Sequence, residues 1–334
     1  MNKIALALYY PMSTLHIPVM PVMPVMPVMP VKYLLHYMNI AFFLIIIGIT
    51  GNAVASTDLT QKPISFSEIN KYANFSNAVY QTAPAIDKIS SLKNYKISRY
   101  NNIPGFEISY LLATNDVSKT QVIAVRGTSN IENALVDIAL ELTTDKHTGA
   151  RLHNGFSQTA RAIYSEIKSQ IKTDYVIDTT GHSLGGAVAL ILAMYLDIDN
   201  FNIGKVVTFG QPKVTNIAGA NKFQHLNIIR VVTAKDLVPL VPPFDPVDLN
   251  NLDIYWHAGK EVILLPDTTY AIAEGVESMM RAIKFTQEPL NESNLQNHQM
   301  SLYLEMVAKK IPSAKLVPFK SSFNLFNWFG SEEK

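Results

Sequence analysis

Tyr175-Val176-Ile177-Asp178-Thr179-Thr180-Gly181-His182-Ser183-Leu184-Gly185-Gly186-Ala187 decides the fold. It reads as a short strand, then Gly-x-Ser-x-Gly, then a run of helix formers from Ala187 to Leu196. The bare five-residue pattern is weak; the flanking strand and helix give it meaning. Gly181 and Gly185 allow a sharp turn and let strand and helix approach without a Cβ clash. Such a turn lifts the Ser183 hydroxyl above the sheet edge and aims the first helical amides at whatever the serine attacks. Acyl transfer needs that geometry, because a forming oxyanion must find backbone donors.

Outward from the elbow, strands and helices alternate. Thr120 to Val125 is a short apolar strand ending in Arg126-Gly127-Thr128. Lys205 to Phe209 and Asn227 to Thr233 read as buried strands, the latter followed by Ala234-Lys235-Asp236. Alternation of this kind predicts an α/β fold with a mostly parallel central sheet and helices on both faces. Sites in such sheets lie past the carboxyl ends of the strands. Arg126-Gly127-Thr128, Ser183 and Asp236 all follow a strand directly, so they converge on one sheet edge.

Other elements are placed more coarsely. Ser65-Phe66-Ser67-Glu68 caps a helix through Ile69, Tyr72, Ala73 and Val79 that Pro84 interrupts. Tyr95 to Ser98 and Phe106 to Leu112 read as a meander. Ile131, Leu135, Ile138 and Leu142 form the apolar stripe of an amphipathic helix within residues 130–144. A second such helix covers Ala160 to Lys172. Residues 251–265 resemble a β-ribbon, 268–288 a helical insertion, and His298 opens a helix through Leu302, Tyr303 and Met306.

A serine nucleophile needs a base, and the base needs an orienter. The chain has eight histidines. His182 is the serine's neighbour and points away from it, His153 fits a turn before a helix, and His147 and His225 have no context. His257 sits in a strand pattern, where a buried, hydrogen-bonded histidine is the structural reading. His298 follows the polar loop Asn291 to Asn297. In hydrolase chain order the base comes last, after the acid, which favours His298 over His257. Asp236 suits the acid; Asp245, Asp248 and Asp253 lie in a proline-rich loop and read as solvated. The Leu184 amide and Thr128 suit the oxyanion donors, whereas Arg126 reads as structural.

Composition sets the outer limits. The 334 residues are 48% apolar and 16% charged, with net charge +1 and no basic run, so nothing points to nucleic acid. Cysteine is absent, which excludes disulfides, thiolate metal sites and a cysteine nucleophile. Residues 1–37 include a Pro-Val-Met repeat from Pro18 to Val31, read as a low-complexity leader upstream of a start at Met38. Residues 38–55 carry a short apolar run and Ala53-Val54-Ala55, as a cleaved secretory signal does; an uncleaved anchor is the alternative. A catalytic domain then spans 56–312, and 313–334 form an aromatic amphipathic tail.

These pieces together resemble the class 3 lipase family. They are Val125-Arg126-Gly127-Thr128, His153-Asn154-Gly155-Phe156, Thr180 to Ala187, Thr208 to Val214, Asp236-Leu237-Val238-Pro239 with Pro242-Pro243, and His298 to Tyr303. They occur in the family's order between about residues 105 and 305. The resemblance implies an α/β-hydrolase fold and hydrolysis of lipid esters without cofactor or metal. By position it implies Ser183 as nucleophile, Asp236 as acid, His298 as base, Thr128 and Leu184 as oxyanion donors, and a non-catalytic His257. It also implies a lid at about 129–144 and action at a lipid–water interface or membrane surface. Val125 stands where the family usually has an aromatic. A monomeric lipid esterase is therefore expected, with a phospholipase A1 or lysophospholipase as the rival enzyme and a non-catalytic membrane-associated binding protein as the rival from another class.

Overall fold

β3 (Thr120–Val125), β6 (Val176–His182), β7 (Ile203–Phe209), β9 (Ile228–Thr233) and β11 (Lys260–Leu264) run parallel side by side at the centre of the fold. The computed structural model describes residues 64–101, 108–128, 141–242, 253–275, 277–279, 281 and 296–319, all within one unit. β1 (Lys96–Asn101) and β2 (Ser109–Asn115) extend the sheet antiparallel on one side. β12 (Thr269–Ala273) and β13 (Lys315–Leu316) extend it on the other, giving the order β1-β2-β3-β6-β7-β9-β11-β12-β13. A second sheet joins β4 (Leu142–Thr144), β5 (Arg151–His153), β8 (Thr215–Asn216) and β10 (Tyr255–Trp256) in the order β10-β8-β5-β4.

Alternation along the strands explains the layers. Val206 faces the cluster formed with α2 (Asn154–Ile167) and α3 (Leu184–Ile198). Its neighbour Val207 faces the opposite cluster, formed with α1 (Phe66–Ala78) and α4 (Met300–Lys310). Successive side chains on a strand point to opposite faces, so helices cover both. The α/β-hydrolase architecture follows. α3 is apolar on all sides and buried from Gly185 to Leu196, as expected for a helix wedged between sheet and α2. Ser65 caps α1 by accepting from the Glu68 amide at 3.3 Å, the bond the sequence pattern predicts. Among the described residues no helix is long and apolar enough to cross a membrane.

Several expectations need correction. Pro84 does not break a continuous helix; α1 ends at Ala78 and Pro84 lies in the first turn of a separate one-turn helix, Ala83–Ile86. Residues 251–265 are not a ribbon, because β10 pairs with β8 while β11 pairs with β9. Glu261 to Leu264 are all buried, as befits a strand set between β9 and β12 inside the main sheet. Part of the 268–288 insertion is β12, whose Ala271 and Ala273 pack against Val232 and Ile263; alanine's helix propensity misled there. The tail contributes β13 and packs Phe319 against the same cluster. Of the lid expected at about 129–144, Leu142 to Thr144 are strand β4, not helix, and residues 129–140 lie outside the described residues.

His153 joins the second sheet to α2. Its ring caps α2 by accepting from the Phe156 amide at 3.5 Å and stacks on Phe156 with ring centroids 4.0 Å apart. Burial lowers its pKa from 6.5 to about 4. The unfolded chain therefore takes up a proton below about 6.5, whereas the folded state takes it up only near 4. Stability is lost as pH falls through that window, by on the order of 3 kcal/mol at most. Asparagine at this position keeps a capping acceptor and removes the titration. Denaturant melts of His153→Asn between pH 7 and 4 should fall less steeply than those of the parent; parallel curves would contradict this source of acid sensitivity.

Candidate active site

The elbow forms where β6 meets α3. Ser183 takes φ +60 and ψ −133, a conformation that few non-glycine residues adopt. Its amide donates to Phe209 O at 2.8 Å, and its carbonyl accepts from Gly186 N at 2.9 Å. Close approach explains the flanking glycine: a Cβ on Gly185 would lie 2.3 Å from Val125 O. Leu184 opens α3, so its N–H belongs to the first turn, whose amides have no intrahelical acceptor. Thr128, half-buried, ends the described segment after β3. Both expected oxyanion donors thus stand at the carboxyl ends of neighbouring strands, as does Ser183.

Asp236 and His298 meet although 62 residues separate them. His298 Nδ1 lies 2.8 Å from Asp236 Oδ2, and both side chains are buried. A carboxylate oxygen only accepts, so Nδ1 carries the hydrogen and Nε2 keeps its lone pair. Asp236 Oδ1 accepts from Val238 N at 2.9 Å. Among the buried side-chain atoms without a hydrogen-bond partner are Ser183 Oγ and His298 Nε2. They are the pair that base-assisted attack by a serine would couple.

The loop after β7 passes beneath this pair. Gly210 has φ +58, and a Cβ there would lie 2.8 Å from His298 Cε1 and 2.9 Å from Asp236 Oδ2. Only glycine admits both the backbone turn and the imidazole–carboxylate contact.

Three supporting residues escaped the sequence reading. Tyr303, on α4, donates to Asp236 Oδ2 at 2.5 Å. Burial, then the Asp236 charge, push its hydroxyl well above the usual tyrosine range, so it stays a donor. His182 does turn from Ser183, but its ring lies 4.6 Å from that of His298. Its Nε2 donates to the His298 carbonyl at 2.7 Å, which leaves Nδ1 to accept from Tyr80 Oη at 3.1 Å. Tyr80 Oη in turn accepts from Gly127 N at 2.9 Å. Burial, then His298, lower the His182 pKa well below 6.5 and keep it neutral for this chain. Such long-range partners leave no period in the sequence; the one available signal was a histidine and a tyrosine flanking motif positions.

His257 is displaced from this group. Its Nε2 donates to Pro239 O at 2.7 Å, and burial, then Arg230, hold its pKa well below the usual range. Arg126 sits with its guanidinium carbon 5.5 Å from the Tyr80 ring centre, a packing role. His147 and His225 pair with Asp199 and Asp197 away from the elbow. Asp253 binds Arg151 and Asn216, while Asp245 and Asp248 lie outside the described residues. Among the described residues no group of three or more histidine or acidic side chains could hold a metal ion.

Residues 122–245, from β3 through the elbow to the loop beyond Asp236, match the family model described as lipase (class 3). Over those residues the chain is similar to the class 3 lipase family. The chain is 30% identical over 176 residues to the secreted mono- and diacylglycerol lipase 1 of Fusarium solani, covering 50% of this chain and 51% of that protein. It is 25% identical over 146 residues to phospholipase A1 PLIP2 of Arabidopsis thaliana, covering 39% of this chain and 20% of that protein. The chain thus spans about half, or less, of the curated relatives it matches. The solved structure of the Rhizomucor miehei triacylglyceride lipase superposes with a TM-score of 0.51 at 25% identity, over 59% of this chain and 79% of the other. The matched segment holds Ser183 and Asp236; His298 reaches them from the turn just before α4, beyond the matched residues.

Proposed function

We propose that this protein is a serine carboxylester hydrolase that cleaves fatty-acyl esters of lipids. The observation that carries the reading is the buried Asp236–His298 pair, with the unpartnered His298 Nε2 and Ser183 Oγ on the same sheet edge. His298 Nε2 takes the Ser183 proton as Oγ bonds to the ester carbonyl carbon. The Leu184 amide and Thr128 stabilise the oxyanion, and Asp236 stabilises the imidazolium. Collapse breaks the carbon–oxygen bond to the alcohol, which leaves with the proton from His298. Water then attacks the acyl carbon and gives a proton to His298; the bond from that carbon to Ser183 Oγ breaks, Oγ takes the proton back from His298, and the acid leaves.

Secretion through a signal at 38–55 agrees with the name of the Fusarium relative. A lid at 129–140 and the aromatic tail would suit work at a lipid–water interface. The name of the Arabidopsis relative favours a second reading, phospholipase A1. Acid release from emulsified diacylglycerol, emulsified triacylglycerol and phospholipid vesicles separates the two. The neutral lipids should be hydrolysed faster. Faster release from vesicles would favour the phospholipase, and release from none would overturn both.

A further inference from the structure

We propose that Lys213 is a positioning residue for Asp236, acting by fixing the buried loop 237–242 through its carbonyls. The inference rests on the hydrolase reading above. The loop leaves Asp236 and is buried along its whole length, and Pro239 and Pro242 supply no N–H of their own. Buried carbonyls need donors from elsewhere. Lys213 provides several: its Nζ donates to Leu240 O and, at 2.6 Å, to Pro242 O, while its amide donates to Val241 O at 2.9 Å. His257 Nε2 takes the remaining carbonyl, Pro239 O. The carbonyls of 239 through 242 are thus held in sequence by two residues from outside the loop, three by side chains and Val241 O by the Lys213 amide.

The lysine is 1% exposed, a placement lysine almost never takes without a specific role. It lies three residues past Gly210, the position that touches both Asp236 and His298. One short segment therefore sets the floor of the Asp236–His298 pair and the anchor of the Asp236 loop. Arg230, Glu261, Arg281 and His257 surround the lysine or its partners. Burial, then Arg230, lower its pKa to about 7, and even the neutral amine retains donors for two carbonyls. Arg281, paired with Glu261, also donates to Thr233 O at 3.3 Å, at the strand end that leads into Asp236.

Lys213→Met fills similar volume and removes the donors. On a soluble nitrophenyl ester it should lower kcat about tenfold or more, with KM within about twofold. The low-field proton resonance of the His298 Nδ1–H should shift or broaden, which can be read without turnover. His257→Phe, which removes only the Pro239 donor, should show the same changes more weakly, and it decides the matter if Lys213→Met does not fold. Folded variants with the parent resonance and a kcat within twofold would overturn the proposal and leave a lysine that serves stability alone. If the parent enzyme hydrolyses no ester, the hydrolase reading fails instead, and the resonance still reports on Lys213.

Discussion

Ser183→Ala lowers kcat on a soluble ester by on the order of 10⁴–10⁶-fold, about 5–8 kcal/mol of barrier, and leaves the protein folded. The size follows from what is lost. The variant has no atom to form the acyl-enzyme, while the Leu184 amide, Thr128 and His298 can still assist a direct attack by water. Stability should change little. Ser183 Oγ makes no hydrogen bond, so its removal breaks none. The backbone strain at φ +60 remains for alanine, held by Ser183 N to Phe209 O and by Gly186 N to the residue 183 carbonyl. Initial rates together with a thermal melt check the result. Parent-like turnover by the folded variant would remove Ser183 from the mechanism.

Asp236→Asn should cost about 10⁴-fold in kcat through the tautomer of His298. Asp236 Oδ2 accepts from both His298 Nδ1 and Tyr303 Oη. An amide nitrogen turned toward the imidazole would donate to Nδ1, moving the ring hydrogen to Nε2, where it blocks the base. The alternative amide orientation keeps the imidazole bond but puts the amide nitrogen beside Val238 N, donor against donor, where Oδ1 now accepts at 2.9 Å. Each orientation breaks a buried bond, so a loss of stability of about 1–3 kcal/mol should accompany the loss of rate. Steady-state kinetics and denaturant melts separate the effects. A kcat within tenfold of the parent would show that Asp236 does not orient the base.

The sequence exposed the site through its strand ends. Ser183 and Asp236 each follow an apolar strand closely, and sheet geometry alone sends both to one edge. His298 was separable from His257 only by chain order, and the structure supplies the physical difference. His257 Nε2 is committed to Pro239 O, whereas His298 keeps Nε2 without a partner. What stayed hidden depends on contacts between distant residues. Tyr80, His182 and Tyr303 connect through bonds spanning 102, 116 and 67 residues. No local pattern encodes such bonds. β12 and β13 were missed because alanine-rich and very short strands carry little periodic signal. Lys213 looked like an ordinary motif residue until burial showed what its ammonium touches.

The most direct measurement is covalent capture of the proposed nucleophile. A fluorophosphonate ester, incubated with the full chain and followed by intact and peptide mass spectrometry, should add one phosphonyl group at Ser183 as hydrolysis is lost. Asp236→Asn should slow that labelling, and Ser183→Ala should abolish it. Complete inhibition with the label on another residue, or hydrolysis that persists after Ser183 is fully modified, would contradict the account.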